Sequence, residues 1–195
     1  MNKNISRTSA NVLNSKKIRD DLARISKGKN IKKWDLSASS SNDISVQVDK
    51  GEAKQLKASQ RSYITIRVWN EKGLIGITST SDLSEKGLEK ALLSANEASM
   101  FGNENETPEF SSLSQEKIIP FDRPTTYSKG VKVLFDKLRD AESQLLQKSK
   151  SIKSVPYNGF SESEYERIYI NSIGASRYMK NNQSLLYLYA RAEED

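Results

Sequence analysis

The chain has no histidine and no cysteine. Without cysteine there is no disulfide framework, no thiolate nucleophile and no thiolate metal site. Without histidine, Ser-His-Asp catalysis, Cys-His catalysis and the helical His-Glu-x-x-His zinc site cannot be built from these residues. Prolines number four, and the nine glycines are scattered singly. No G-x-G-x-x-G or Walker loop occurs, so the common phosphate cradles are excluded. No apolar run approaches the roughly 18 residues of a membrane span. The basic N-terminus has no apolar stretch behind it, so it does not read as a secretory signal. A cytoplasmic protein without a membrane partner is expected.

What is present is charge. Of the 195 residues, 35% are hydrophobic and 29% charged, with a net charge of +6. That length allows one large domain or two small ones. The excess is uneven. Residues 1–33 hold ten Lys/Arg and two Asp, a net of +8, whereas the rest nets −2. A basic arm can bind phosphate or an acidic partner. It can equally be a solvated tail followed by the wet face of a helix. No aromatic residue is interleaved before Trp34, which favours the second reading and argues against nucleic acid.

The clearest stretch runs from Ser59 to Phe101. Ile64, Ile66 and Val68 alternate with Tyr63, Thr65, Arg67 and Trp69, the period of two of a pleated strand. Asn70-Glu71-Lys72-Gly73 turns the chain, with Gly73 free to take a positive φ. A second strand follows from Leu74 to Thr80. Ser84 is placed as a helix N-cap, with Leu83 and Leu88 at the two staple positions. Leu88, Ala91, Leu92, Ala95 and Ala98 then form one apolar stripe.

Around this stretch the pattern predicts a flexible basic extension over 1–13 and a helix from about Asn14, with Ile18, Leu22 and Ile25 inward and Gly28 just past its C-cap. Strands are expected over 34–40 and 43–48, separated by a turn at Ser39-Ser40-Ser41-Asn42. Asp49-Lys50-Gly51-Glu52 turns into a weaker edge strand over 53–58. An irregular connection spans about 102–124, either a mobile loop or a segment strapping two layers together. A helix over about 128–149 follows, with Val131, Leu134, Phe135, Leu138, Ala141 and Leu145 as its stripe. The tail returns to strands. One lies over 151–160, broken at Pro156, and one over 164–170. Asn171-Ser172-Ile173-Gly174 makes a hairpin turn. Strands over 175–180 and 185–192 are separated by a turn at Asn181-Asn182. The fold class is α+β: helix, about five antiparallel strands, helix, connection, helix, three to four strands. An apolar strand so close to the last residue looks cut from a longer protein.

Chemistry-bearing groups are few. Asp20-Asp21, the set Glu162, Glu164 and Glu166, and Glu193-Glu194-Asp195 are oxygen-rich enough to suggest Mg²⁺ or Ca²⁺, but none matches an EF-hand loop. Arg67, between Ile66 and Val68, either fixes an acidic partner or pairs across the sheet. Tyr157, Phe160, Tyr165, Tyr169, Tyr178, Tyr187 and Tyr189 bias the last forty residues toward aromatics. They make either a peptide-binding or subunit surface or a ladder of cross-strand pairs. No catalytic, cofactor-binding or metal-binding residue is assigned.

Several segments together resemble a known family. Residues 44–52 (Ile-Ser-Val-Gln-Val-Asp-Lys-Gly-Glu), Ile66-Arg67-Val68, residues 73–84 with the Ala-rich helix after them, and Tyr169-Ile170-Asn171-Ser172-Ile173-Gly174 are similar to the N-terminal domain of the TldD/PmbA (TldE) family. Its members are often called modulators of DNA gyrase. The likeness covers about residues 15–190. It implies residues 14–195 as one N-terminal-type domain and a C-terminal domain absent from this chain. It further implies a two-part bacterial protease. The TldD subunit holds zinc through a His-Glu-x-x-x-His helix, and a PmbA/TldE partner helps enclose unfolded peptides, in maturation of peptide antibiotics and breakdown of antitoxins. This chain departs from the catalytic pattern, so no family site residue transfers. The resemblance leans to the PmbA/TldE side. It implies a non-catalytic role in homo- or hetero-oligomer assembly and substrate enclosure, with zinc in the catalytic partner and none in this chain. A nucleic-acid- or gyrase-binding modulator using the basic segment is the alternative.

Overall fold

The structure is a computed structural model that describes residues 13–103, 109–118 and 128–194. Its elements are α1 (Ser15–Gly28), β1 (Lys33–Asp49), β2 (Glu52–Trp69), β3 (Ile75–Thr80), α2 (Glu85–Ala98), α3 (Val131–Leu146), β4 (Ile152–Asn171) and β5 (Ser176–Ala192). The five strands form one sheet in the order β3-β2-β1-β4-β5. The fold is α+β with antiparallel pairing. Ile64 pairs with Thr80 and Trp69 with Ile75 across β2 and β3.

The strands are fewer and longer than the sequence suggests. The two segments expected before Asp49 are one strand of 17 residues, and those of 53–69 are one of 18. Likewise 152–171 and 176–192 are each continuous. The turns expected at Ser39–Asn42 and Asn181-Asn182 do not form. Ser and Asn favour turns when their side chains bond their own backbone. Several of these polar groups instead bond other side chains, along the strand or across the sheet. Ser41 Oγ (3.0 Å) and Ser163 Oγ donate to Asp43, and Asn181 Nδ2 donates to Tyr165 Oη at 3.0 Å.

Pro156 does not break β4 either. Proline has no N–H for the ladder, and the side chain of Asn158 substitutes. Its Oδ1 accepts the Val48 amide at 2.9 Å, while Nδ2 donates to the carbonyls of Val48 (2.9 Å) and Val155 (3.0 Å). Asn158 is 3% exposed. Asn158→Leu is therefore expected to cost about 2–3 kcal/mol, because buried backbone groups lose their partner. Urea denaturation of the two proteins measures it.

The chain divides into two compact units. The first comprises residues 1–40, 62–119 and 166–179, the second 41–61, 120–165 and 180–195. In the first, Trp34, Leu36, Ala38, Ile64, Ile66, Val68, Ile168 and Ile170 meet Ile18, Leu22, Leu88 and Leu92 from α1 and α2. Leu13, placed by the sequence in the flexible extension, is 1% exposed and belongs to this core; residues 1–12 lie outside the described part. Asn14 caps α1 by accepting from the Lys17 amide, and Ser84 caps α2 by accepting from Gly87. Gly28 is not the residue after the cap. It is the last helical residue, and Asn30, with φ of 55°, makes the left-handed step. Asparagine tolerates that region through its short polar side chain. The two Asn-x-x-Gly turns are the same device. Asn70 Oδ1 accepts from Lys72 and Leu74 amides, and Asn171 Oδ1 from Ile173 and Ala175.

In the second unit, Val46, Val48, Leu134 and Leu138 form a smaller core with Ile44, Val131, Phe135, Phe160 and Leu188 around it. Helix α3 starts later than expected, at Val131. Gly130 precedes it with φ of 82°. Its other polar anchor is Glu142, 3% exposed. That carboxylate accepts from the amides of Lys50 (3.3 Å) and Gly51 (2.8 Å) in the β1–β2 turn.

Candidate functional site

Strand alternation in the first unit puts Ile64, Ile66 and Val68 into the core and turns Arg67 and Trp69 to the other face. Arg67 meets Asp35, the polar residue between the buried Trp34 and Leu36. Arg67 Nε donates to Asp35 Oδ1 at 2.9 Å, and Nη2 donates to Oδ2. Tyr169 Oη donates to the same Oδ2 at 3.1 Å. Asp35 is 2% exposed, so its charge is balanced within the protein rather than by water. The hydrogen bond from Asp35 pushes Arg67 further above its ordinary value. Burial, first of several causes, pushes the Tyr169 phenol up. Neither group exchanges protons near neutrality. The pair is the cross-sheet role weighed for Arg67.

Part of the connection after α2 covers this face. Phe110 stands edge-on to Trp69, with centroids 5.0 Å apart. The Lys33 ammonium lies 5.1 Å from the Trp69 centroid and 5.3 Å from that of Phe110, and it pairs with Glu109. Arg177 Nη2 donates to the carbonyls of Ser114 (2.7 Å) and Glu116 (2.8 Å), and Gln115 Nε2 to that of Ile173 (2.8 Å). Residues 109–118 are thus tied down by these contacts; 104–108 and 119–124 of the expected connection lie outside the described part.

Beside residues 109–118 is a cleft of about 580 Å³, lined by Lys29 to Lys33, Trp69, Asn70, Glu71 and Asn96. Trp69 and Ile31 are its buried floor. Its rim is basic, but two of its three lysines are engaged: Lys29 with Glu89 at 3.0 Å, Lys33 with Glu109. The same holds for α1, where Lys17, Arg19 and Arg24 pair with Asp20, Asp21 or Glu85. Five residues of the basic N-terminal segment, Lys17, Arg19, Arg24, Lys29 and Lys33, thus lie against carboxylates. Such a cleft can bind and orient a polar chain.

The acidic groups singled out from the sequence are dispersed. Asp20 and Asp21 take part in those α1 pairs. Glu162 accepts from Ser128 Oγ and the Lys129 amide, and Glu164 from the Ser128 amide, so both hold the lead-in to α3. Glu166 is buried beside Tyr178, whose phenol is raised by burial and then by that carboxylate. Glu193 pairs with Arg191 at 2.6 Å. Sequence reasoning missed Asp35 and Phe110. A lone acid in an apolar alternation, on the same face parity as a lone arginine, was the available signal for Asp35. Nothing marked Phe110.

A family model described as PmbA/TldA metallopeptidase domain 1 matches residues 34–99, and one described as PmbA/TldA metallopeptidase central domain matches residues 122–195. Among solved structures, the chain is similar to a protein described as a modulator of a DNA gyrase from Thermotoga maritima MSB8 (17% identity, TM-score 0.74, 92% of this chain and 40% of that one). It is also similar to TldE from Thermococcus kodakarensis (17%, 0.69, 91% and 40%). A third is described as a modulator of DNA gyrase from Bacteroides thetaiotaomicron VPI-5482 (15%, 0.70, 87% and 39%). At such identities these likenesses establish the shared fold. The chain spans about 40% of the length of the first two of these relatives. No curated protein matches the sequence.

Proposed function

Because this chain belongs to the PmbA/TldD metallopeptidase family, we propose that it is a non-catalytic N-terminal part of a PmbA/TldE-like subunit, acting in assembly and in enclosure of unfolded peptides for proteolysis. The observation behind this reading is a pairing of two facts. The chain matches the family's first and central domains, and its sequence contains no imidazole and no thiol. The donor set does not fit a peptidase zinc. Among the described residues no three Asp or Glu cluster so as to hold a metal, and Glu162 is already committed to amides and a hydroxyl. In this reading zinc chemistry belongs to a partner subunit, and the compartment is the cytoplasm. Among the described residues no helix is long and apolar enough to cross a membrane.

The test is direct. The purified chain, incubated with unfolded fluorescein-labelled casein with or without added zinc, is expected to release no fluorescence above buffer. It is expected to coelute with a histidine-bearing subunit of the family. Cleavage by the chain alone, abolished by a chelator, would falsify the non-catalytic assignment. Failure to coelute would remove the assembly role.

A further inference from the structure

The sequence contains one Asn-Gly dipeptide, Asn158-Gly159. Asparagine is a labile residue, and it loses ammonia most readily before glycine, which puts no side chain in the way of its own amide nitrogen. Here the pair lies inside β4, in the second unit. Each half has a separate structural reason. Asn158 is 3% exposed, and its side chain serves the Val48 amide and the carbonyls of Val48 and Val155. Gly159 is buried beneath Tyr187, whose ring an added Cβ would approach to 2.7 Å. Packing thus sets a chemically labile dipeptide at a place that the fold needs intact.

We propose that Asn158-Gly159 is a deamidation site gated by folding, which irreversibly marks any chain whose second unit has opened. In the reaction the Gly159 nitrogen attacks Asn158 Cγ. A C–N bond forms, the Cγ–Nδ2 bond breaks, and Nδ2 leaves as ammonia with the proton of the Gly159 amide. Water then opens the five-membered imide at either carbonyl, giving aspartate or isoaspartate; nothing is oxidised or reduced. The fold blocks the first step in three ways. The extended backbone of a strand holds the Gly159 nitrogen away from Cγ. Nδ2, the leaving atom, is tied to two carbonyls at 2.9 and 3.0 Å. Burial of both residues keeps out the hydroxide that would take the amide proton. Opening removes all three blocks at once. The product does not fit the native place. In aspartate an oxygen stands where Nδ2 donated, so a buried carboxylate meets the Val48 and Val155 carbonyls with no proton to offer them. Isoaspartate adds one carbon to the main chain in mid-strand, which puts the rest of β4 out of register with its neighbours.

Peptide mass spectrometry of the full chain, held in mildly alkaline buffer with or without urea, tests the proposal. In urea the peptide carrying Asn158 is expected to gain about one dalton before any other asparagine peptide does. Without urea the same gain is expected to be at least about a hundredfold slower, because only the open fraction reacts. Gly159→Ala, compared in urea where packing plays no part, is expected to slow the gain about tenfold. After urea is removed, circular dichroism is expected to show native signal lost in proportion to the fraction converted. Equal rates with and without urea would overturn the gating. An earlier gain at another asparagine, or indifference to Gly159→Ala, would overturn the site. Converted chains that refold and melt like unconverted ones would overturn the mark.

Discussion

Gly76→Ala is expected to cost about 4 kcal/mol and to lower the melting temperature by about 10 °C. Gly76 lies on β3, directly beneath α2. A Cβ built there falls 1.9 Å from the Ala95 carbonyl oxygen, 2.3 Å from the Ser99 amide nitrogen and 2.9 Å from the Ala98 carbonyl carbon. All three are backbone atoms, so no side chain can rotate aside. The C-terminal end of α2 has to lift, and with it Leu92 and Ala95, which are fully buried against the sheet. The requirement is for space; the backbone conformation at Gly76 is open to any residue. Gly28→Ala is the control. Nothing lies within 4 Å of its added Cβ, and the substitution is expected to be neutral or stabilising by about 0.5 kcal/mol. Thermal melts of both variants measure the contrast. A Gly76→Ala protein that melts with the wild type would show that helix and strand do not approach so closely.

Arg67→Met is expected to cost about 2–4 kcal/mol. It leaves the buried Asp35 carboxylate with Tyr169 as its remaining side-chain donor among the contacts described, and stranding one member of a buried pair is the expensive case. The lower part of the range allows for the Arg67 side chain, 38% exposed, where water already screens part of the interaction. Removing both charges is different. Asp35→Leu with Arg67→Met replaces the pair by apolar groups beside Trp69 and Phe110, and most of the lost stability is expected to return. Urea denaturation of the two single variants and the double gives the coupling. A single variant no worse than the double would mean that water, not Arg67, balances Asp35.

The local code was legible where a few adjacent residues decide the outcome. Asn14 and Ser84 announce helix starts, and their side chains do cap. Asn70–Gly73 and Asn171–Gly174 announce turns, and the side-chain amides make them. The apolar alternation of 64–68 names the core face correctly. Where the partner is distant the code failed. The serines of 39–42 look like turn formers, yet Ser41 bonds Asp43 along an unbroken strand and Ser163 reaches the same Asp43 from the neighbouring one. Pro156 looks like a strand breaker because the replacement acceptor and donors of Asn158 have to be brought to Val48, 110 residues away. Asp35 and Arg67 carry visible charges, yet their pairing depends on a strand register that no short window contains. The family resemblance read from the motifs was borne out by the two family models, although each motif alone is loose.

The four long strands have a consequence for anyone who would divide this protein. A strand of 17 residues runs for roughly 55 Å, well beyond the usual 3–10 residues, and the chain changes units inside β1, β2, β4 and β5. The two stretches matched by the family models, 34–99 and 122–195, are therefore not severable modules. Cutting between them would strip residues 166–179 from one unit and 41–61 from the other. The covalent order of the halves and their architectural order are different things.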